Sequence, residues 1–272
     1  MVVFTGVKKE DLSKLKGVVE EEPKTIHEEA RSKKKGVVLI LYNSGKLLLQ
    51  GKAADVETLS KEIQKLKIGN LEETEPFKKE LGWIIGSDES LKGDTFGGIT
   101  VAAVKADDEI RKKLIEIGVA DSKTLSDHEV IRLAEQIRLI APCEVKSVFP
   151  EEYNQHKEKV TLLLDHLHHE CAQFLQPGKH IVDKYPGCNV GEVREEKAES
   201  KYVEVAAASI LARDAALKQL SSLSALAGFH IPKGSSHVKL GLLELKQRKL
   251  DPSRFVKTDF WNVKDFLKEE NP

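Results

Sequence analysis

The sequence predicts an α/β protein of two domains, a small α+β unit followed by a larger α/β domain, and three observations predict it. Short apolar runs bounded by turn residues alternate with segments of helical periodicity. A polar, acidic stretch at 68–80, with Pro76 inside it, interrupts that alternation. The chain of 272 residues is long enough to bury two cores.

The first domain is expected over 1–67. A charged helical segment runs from Lys8 to Lys16, and Gly36 to Leu41 is a strand that follows the basic run Lys33-Lys34-Lys35. Tyr42-Asn43-Ser44-Gly45 supplies a hairpin turn, because Asn and Gly tolerate positive φ. Lys46 to Gln50 returns as a second strand, and Ala53 to Lys67 carries Val56, Leu59, Ile63 and Leu66 at helical spacing. The linker is placed at 68–80.

The second domain is expected over 81–272. Strands are expected at Trp83 to Ser87 and Gly98 to Val104, then helices at Asp107 to Ile117 and Ser126 to Leu139. Ser126 and Glu129 form a capping box. Cys143 to Phe149 alternates like a strand, and Pro150 opens one long helix to about Phe174. His180 to Tyr185 is the next strand, and the small-residue stretch Val203 to Ala212 is a helix able to pack closely on a sheet. Helices at Ser236 to Arg248 and Val263 to Glu269 complete the chain.

Composition narrows the function. No apolar run reaches the roughly 20 residues needed to span a bilayer. No secretory leader is visible at the N-terminus, so a cytoplasmic protein is expected. Three cysteines without a Cys-x-x-Cys pair disfavour a disulfide framework and a structural zinc site. With 43 basic and 44 acidic side chains, any nucleic-acid binding must come from local patches.

Four acids stand apart from those on helix surfaces: Asp88, Glu89, Asp183 and Glu199. Hard divalent cations prefer carboxylate oxygens, so acids gathered at strand ends suit phosphoryl transfer. Adjacent residues on a regular strand point to opposite faces, however. For Asp88 and Glu89 to share a site, the strand is expected to end or distort at Asp88; an isolated pair of this kind more often solvates a turn.

Gly86-Ser87-Asp88-Glu89 with Gly93-Asp94 and Phe96-Gly97, then Asp121-Ser122-Lys123, Tyr153-Asn154, Val182-Asp183, Lys197-Ala198-Glu199-Ser200, the Ala206 to Arg213 helix, Pro232-Lys233-Gly234 and the Lys257 to Asn262 region occur in that order. Together they resemble the ribonuclease HIII family, the type 3 bacterial ribonucleases H, over almost all of residues 81 to 263. Tyr42 to Lys46 and Gln50 to Lys52 resemble that family's N-terminal substrate-binding domain. The resemblance implies an RNase H-like mixed five-stranded sheet flanked by helices, preceded by a TATA-binding-protein-like domain. It also implies that Asp88, Glu89, Asp183 and Glu199 bind two Mg²⁺ or Mn²⁺ ions and cleave the RNA strand of RNA/DNA hybrids, leaving 5′-phosphate and 3′-hydroxyl ends. A monomer is expected. Leu91-Lys92-Gly93 stands where the family usually has Gly-x-Gly, and Gly98 where it commonly has proline.

Substrate contacts are expected from Ser90, Leu91, Lys92 and Gly93, and from Ser122, Lys123, Lys233 and Ser235. In the first domain they are expected from Tyr42, Lys46, Gln50 and Lys52, although those residues equally suit the solvent side of an amphipathic sheet. The run Asp165-His166-Leu167-His168-His169-Glu170 invites a metal reading, but the apolar stripe of its helix leaves the histidines on a solvated face. Two alternatives stay open: incision at single ribonucleotides embedded in DNA, and a non-catalytic hybrid-binding protein. The complete acid set disfavours the second, because close carboxylates repel one another and the phosphates unless metal neutralises them.

Overall fold

The computed structural model describes residues 2–71, 77–78, 80–119, 122, 125–156, 159–234 and 236–268, and the chain divides into two compact units, Met1–Glu75 and Pro76–Pro272. In the first unit, β1 (Val2–Thr5), β2 (Val19–Glu21), β3 (Glu28–Lys34), β4 (Val37–Tyr42), β5 (Leu47–Gln50), α1 (Ala53–Lys65) and β6 (Asn70–Leu71) follow in order. The strands pair antiparallel in the order β2-β3-β4-β5-β1-β6. Alternation decides the buried face: Leu39, Leu41, Leu47 and Leu49 pack with Val56, Leu59 and Ile63 of α1. The hairpin closes where expected, with Tyr42 N donating to Lys46 O at 2.8 Å and Gly45 at φ +76°.

Several features of this unit depart from expectation, among them β1 and β2, strands where none was expected. β3 is almost wholly polar, so it has no apolar period to read; Lys34, in the basic run, is buried there and ion-paired to Glu62 of α1 at 2.5 Å. Asn70–Leu71, assigned by sequence to the linker, pairs with Phe4 and Thr5 of β1.

The second unit contains β7 (Ile84–Ser90), β8 (Ile99–Ala106), α2 (Asp108–Glu116), α3 (Asp127–Ile140), β9 (Cys143–Val148), α4 (Pro150–Gln155), α5 (Val160–Phe174), β10 (Lys179–Asp183), β11 (Val193–Glu195), α6 (Val203–Ala227), α7 (Val238–Gln247) and α8 (Trp261–Lys268). Its sheet has the order β11-β10-β7-β8-β9. β10 runs parallel to β7 and β11, whereas β8 runs antiparallel to β7 and β9, the mixed five-stranded arrangement expected. Helix α6 covers one face together with α2 and α3, and α5 covers the other.

Close packing of α6 rests on small residues. Ala206, Ala207, Ala208 and Ala212 are fully buried, and a Cβ at Gly86 would fall 2.4 Å from the Glu204 carbonyl carbon. The expected long helix from Pro150 is instead two, because His156 takes extended backbone angles and ends α4. β11 arises inside a charged segment whose edge position leaves side chains solvated and hides any period. Among the described residues no helix is long and apolar enough to cross a membrane.

The C-terminal segment returns to the loop after β7. Gly97 N donates to Phe255 O and Lys257 N to Thr95 O, each at 3.0 Å. Asn154 of α4 holds this segment with Nδ2 on Ser253 O and Val256 O and Oδ1 accepting from Thr258 N.

Candidate active site

Two parallel strands bring the acids together. β7 and β10 are registered up to Ser87 beside Val182, so Asp88 and Asp183 each lie one residue further on, at the same sheet end. Paired residues of neighbouring strands share a face. Ile84 and Ile181 pack with Tyr202 and Val205, which places Asp88 and Asp183 on the α6 side.

The expected break at Asp88 does not occur. β7 continues through Ser90 in regular register with β8, Asp88 opposite Ala102 and Glu89 opposite Val101. Glu89 therefore points to the other face, where its Oε2 lies 3.4 Å from His168 Nε2 of α5. The objection of opposite faces is met by position instead: at the end of the sheet, side chains from both faces border one cleft. That cleft, about 450 Å³, is lined by Asp88, Glu89, Ser90, Ser122, Asp183, Ser209 and Arg213. Glu199 follows Lys197, whose φ of +57° turns the chain into a single 3-10 turn, Ala198–Ser200. Asp183 Oδ1 accepts from Ala198 N at 2.8 Å and so fixes that turn against the end of β10. Glu199 is 2% exposed.

The electrostatics show mutual repulsion. Burial, then the charges of Glu89 and Asp183, raise Asp88 well above the ordinary carboxylate range. Burial also raises Asp183, to about 6, with Glu199 and Glu89 adding to it against the Ala198 amide. Glu89 goes the other way. Its burial is outweighed by His168 and by Lys92, whose Nζ lies 3.0 Å from Oε1.

Among the described residues no three His, Cys, Asp or Glu side chains stand ready to hold one ion. Glu89 is turned to Lys92 and His168, and Asp183 to the Ala198 amide. The donor set nonetheless fits a hard divalent cation in chemistry, being all carboxylate oxygen, mutually repelling and open to a cleft.

The loop after β7 places a leucine in a backbone conformation that favours glycine. Leu91 has φ +66°, the left-handed region that favours glycine, while its side chain is 6% exposed in a cluster with Phe96 and Leu220. Lys257, fully buried, donates from Nζ to Leu91 O at 2.8 Å and Gly97 O at 3.0 Å, and also to Asp94 O. Burial lowers its pKa to about 8. Asp94 orders the same bend, its Oδ2 accepting from Gly234 N at 3.3 Å. Gly98 is required by space, since a Cβ there would lie 2.0 Å from Val148 O.

The remaining expected contacts are dispersed. Ser122 is buried with its Oγ 2.9 Å from Ser209 Oγ. Lys233 pairs with Asp127, which also holds Arg213 at 2.7 Å, so it connects to the cleft wall through one carboxylate without lining the cleft itself. Lys123 and Ser235 lie outside the described residues. In the first unit, Gln50 is exposed and shares with Leu48 the sheet face away from α1, Tyr42 is half-buried at the end of β4, and Lys46 and Lys52 are exposed.

Sequence reasoning missed Ser209, Arg213 and the burial of His168. Ser209 and Arg213 are four apart on α6, a spacing that puts both on one face, but the small-residue character of that helix drew attention to packing alone. Asp214, beside them, pairs with Arg138 and Lys218. His168 was expected on a solvated face and is instead fully buried, while Phe174, expected in the core stripe, is exposed.

The family model described as Ribonuclease HII matches residues 85–263. Ribonuclease HIII of Streptococcus gordonii is 34% identical over 218 residues, 72% of each chain. Among solved structures, Bst-RNase HIII in complex with Mn²⁺ matches with a TM-score of 0.63 and 27% identity, covering 99% of both chains. Aquifex aeolicus RNase H3 matches with a TM-score of 0.58 and 28% identity, covering 94% of this chain and 99% of that one.

Proposed function

As a member of the ribonuclease HII family the chain is a metal-dependent ribonuclease, and we propose that it cleaves the RNA strand of RNA/DNA hybrids internally, leaving 5′-phosphate and 3′-hydroxyl ends. The observation that supports this reading is that Asp88 and Asp183 lie where two parallel strands end together, with Glu89 and Glu199 close enough to repel them. These four acids would hold two divalent ions, Mg²⁺ or Mn²⁺. Such ions, when bound, generate the nucleophile from water at neutral pH and stabilise charge on the leaving oxygen.

The chain's own residues do the rest. Arg213 and Ser122, on the cleft wall, contact phosphate oxygens, and the Asp127 carboxylate holds the Arg213 guanidinium in place. Lys92, stacked 4.6 Å over the Tyr185 ring, exchanges its contact with Glu89 for a phosphate. The left-handed Leu91 keeps the amides of Lys92 and Gly93 available to 2′-hydroxyls, the group that distinguishes RNA from DNA. Lys123, Lys233 and Ser235 add phosphate contacts. In the first unit Tyr42, Lys46, Gln50 and Lys52 contribute hybrid affinity.

The test is cleavage of an end-labelled RNA/DNA hybrid with Mg²⁺ or Mn²⁺ by wild type and Asp183→Asn. Metal-dependent cutting of the RNA strand, lost by at least about a hundredfold in the variant, is expected. Efficient cutting of a duplex with one embedded ribonucleotide, in preference to the hybrid, would move the specificity to single ribonucleotides. Hybrid binding without any cutting would establish a binding protein instead.

A further inference from the structure

Behind the cleft lies a buried polar chain that the reaction as described does not use. Ser87 Oγ is 2.8 Å from both His168 Nδ1 and His180 Nε2. Ser87 and His168 are fully buried and His180 is 4% exposed. The three residues come from β7, α5 and β10, so the chain exists only in the folded protein. Its far end is His168 Nε2, a buried nitrogen with no hydrogen-bond partner among the described residues, 3.4 Å from Glu89 Oε2.

The hydrogen count fixes the direction of this chain. Ser87 has one hydroxyl hydrogen, so it donates to one imidazole and accepts from the other. Burial, with His168 nearby, lowers the His180 pKa to about 4, so His180 is a neutral ring. If Ser87 donates to His168 Nδ1, the hydrogen of His168 sits on Nε2. If Ser87 accepted from Nδ1 instead, the neutral ring would turn a bare lone pair at Nε2 toward the Glu89 carboxylate in a buried site, an arrangement that repulsion disfavours. The arrangement in which Ser87 donates to His168 and accepts from His180 is the one that aims an N–H at Glu89.

We infer that His168 is a positioning residue for Glu89: its Nε2–H, oriented through Ser87 and His180, holds Glu89 Oε2, while Oε1 meets Lys92. The His168 ring is braced against Tyr185 at 5.4 Å, and the Tyr185 hydroxyl donates to Asp165 at 2.6 Å. Asp165 and His168 of the His-rich run thus serve the site from behind rather than binding an ion themselves. The inference rests on the reading of Glu89 as a metal ligand. Partners that orient a ligating side chain typically matter by about 10- to 100-fold in metal affinity or activity.

Its first test uses the wild-type protein alone. In long-range ¹⁵N–¹H spectra, His168 is expected to carry hydrogen on Nε2; a bare Nε2 overturns the inference. The second titrates Mn²⁺ by calorimetry into wild type, His168→Gln and His168→Ala, and follows kcat and KM on the hybrid. His168→Ala is expected to weaken Mn²⁺ binding and lower kcat by about tenfold with KM unchanged. His168→Gln, whose amide nitrogen reaches the place of Nε2, is expected to recover most of both. Equal losses in the two variants, or unchanged Mn²⁺ affinity in a folded His168→Ala, reduce His168 to a packing role and overturn the inference. Wild-type protein that binds no Mn²⁺ would overturn the metal reading instead, and the spectrum would still decide the hydrogen bond.

Discussion

Leu91 shows how a leucine can occupy the left-handed backbone region when its side chain is buried. Holding a leucine in the left-handed region costs about 1–2 kcal/mol. Its side chain offsets this by filling space beside Phe96 and Leu220, where removing a buried leucyl group costs about 3 kcal/mol or more. Leu91→Gly is therefore expected to relieve the backbone yet lower stability by roughly 1–2 kcal/mol, read from the urea midpoint. A stabilised variant would show that the side chain contributes little. Lys257 supports the same loop from below: its ammonium has three N–H donors, and Leu91, Asp94 and Gly97 offer three carbonyls. The sequence marked Lys257 through its motif, but its burial depends on Tyr153, 5.6 Å away and distant in the chain, as well as on the neighbouring Phe260 at 5.1 Å.

At the scale of elements, the site is a consequence of strand direction. A parallel β7–β10 pair puts two C-terminal strand ends on one edge, whereas an antiparallel pair would have sent Asp183 to the opposite edge. The alternation that seemed to forbid a shared site for Asp88 and Glu89 holds throughout β7 and gives each acid its own support, Ser209 for the first and His168 for the second. Burial of the other polar chain residue, His180, has a thermodynamic signature. Its folded pKa of about 4 lies below the ordinary 6.5, so between these values the unfolded chain binds more protons and stability falls as the pH falls. The loss is complete near pH 4 and amounts to at most about 3 kcal/mol. His180→Gln is expected to flatten this part of the stability–pH curve, measured by urea unfolding of the metal-free protein; an unchanged slope would mean that His180 already titrates normally in the fold.

For the whole molecule, four buried or half-buried carboxylates are a cost that divalent cations remove. Mn²⁺ at about 100 times its dissociation constant is expected to stabilise the wild type by about 2.7 kcal/mol, seen as a rise in Tm, and Asp183→Asn should lose most of that rise. An equal rise in both proteins would place the ion elsewhere. The sequence by itself determined the α/β class, the helices with a clear apolar period, the β4–β5 hairpin and the four acids in motif order, because these depend on local spacing and on residue chemistry. Only the tertiary structure decided that β3 and β11 are strands, since polar and edge strands carry no period. Only it joined Asn70–Leu71 to the first sheet, buried His168 and brought Ser209 and Arg213 to the cleft wall. The physical reason is the same in each case: these roles are set by partners across sheet and helix packing, and a side chain's own neighbours in sequence do not specify which of them it will meet.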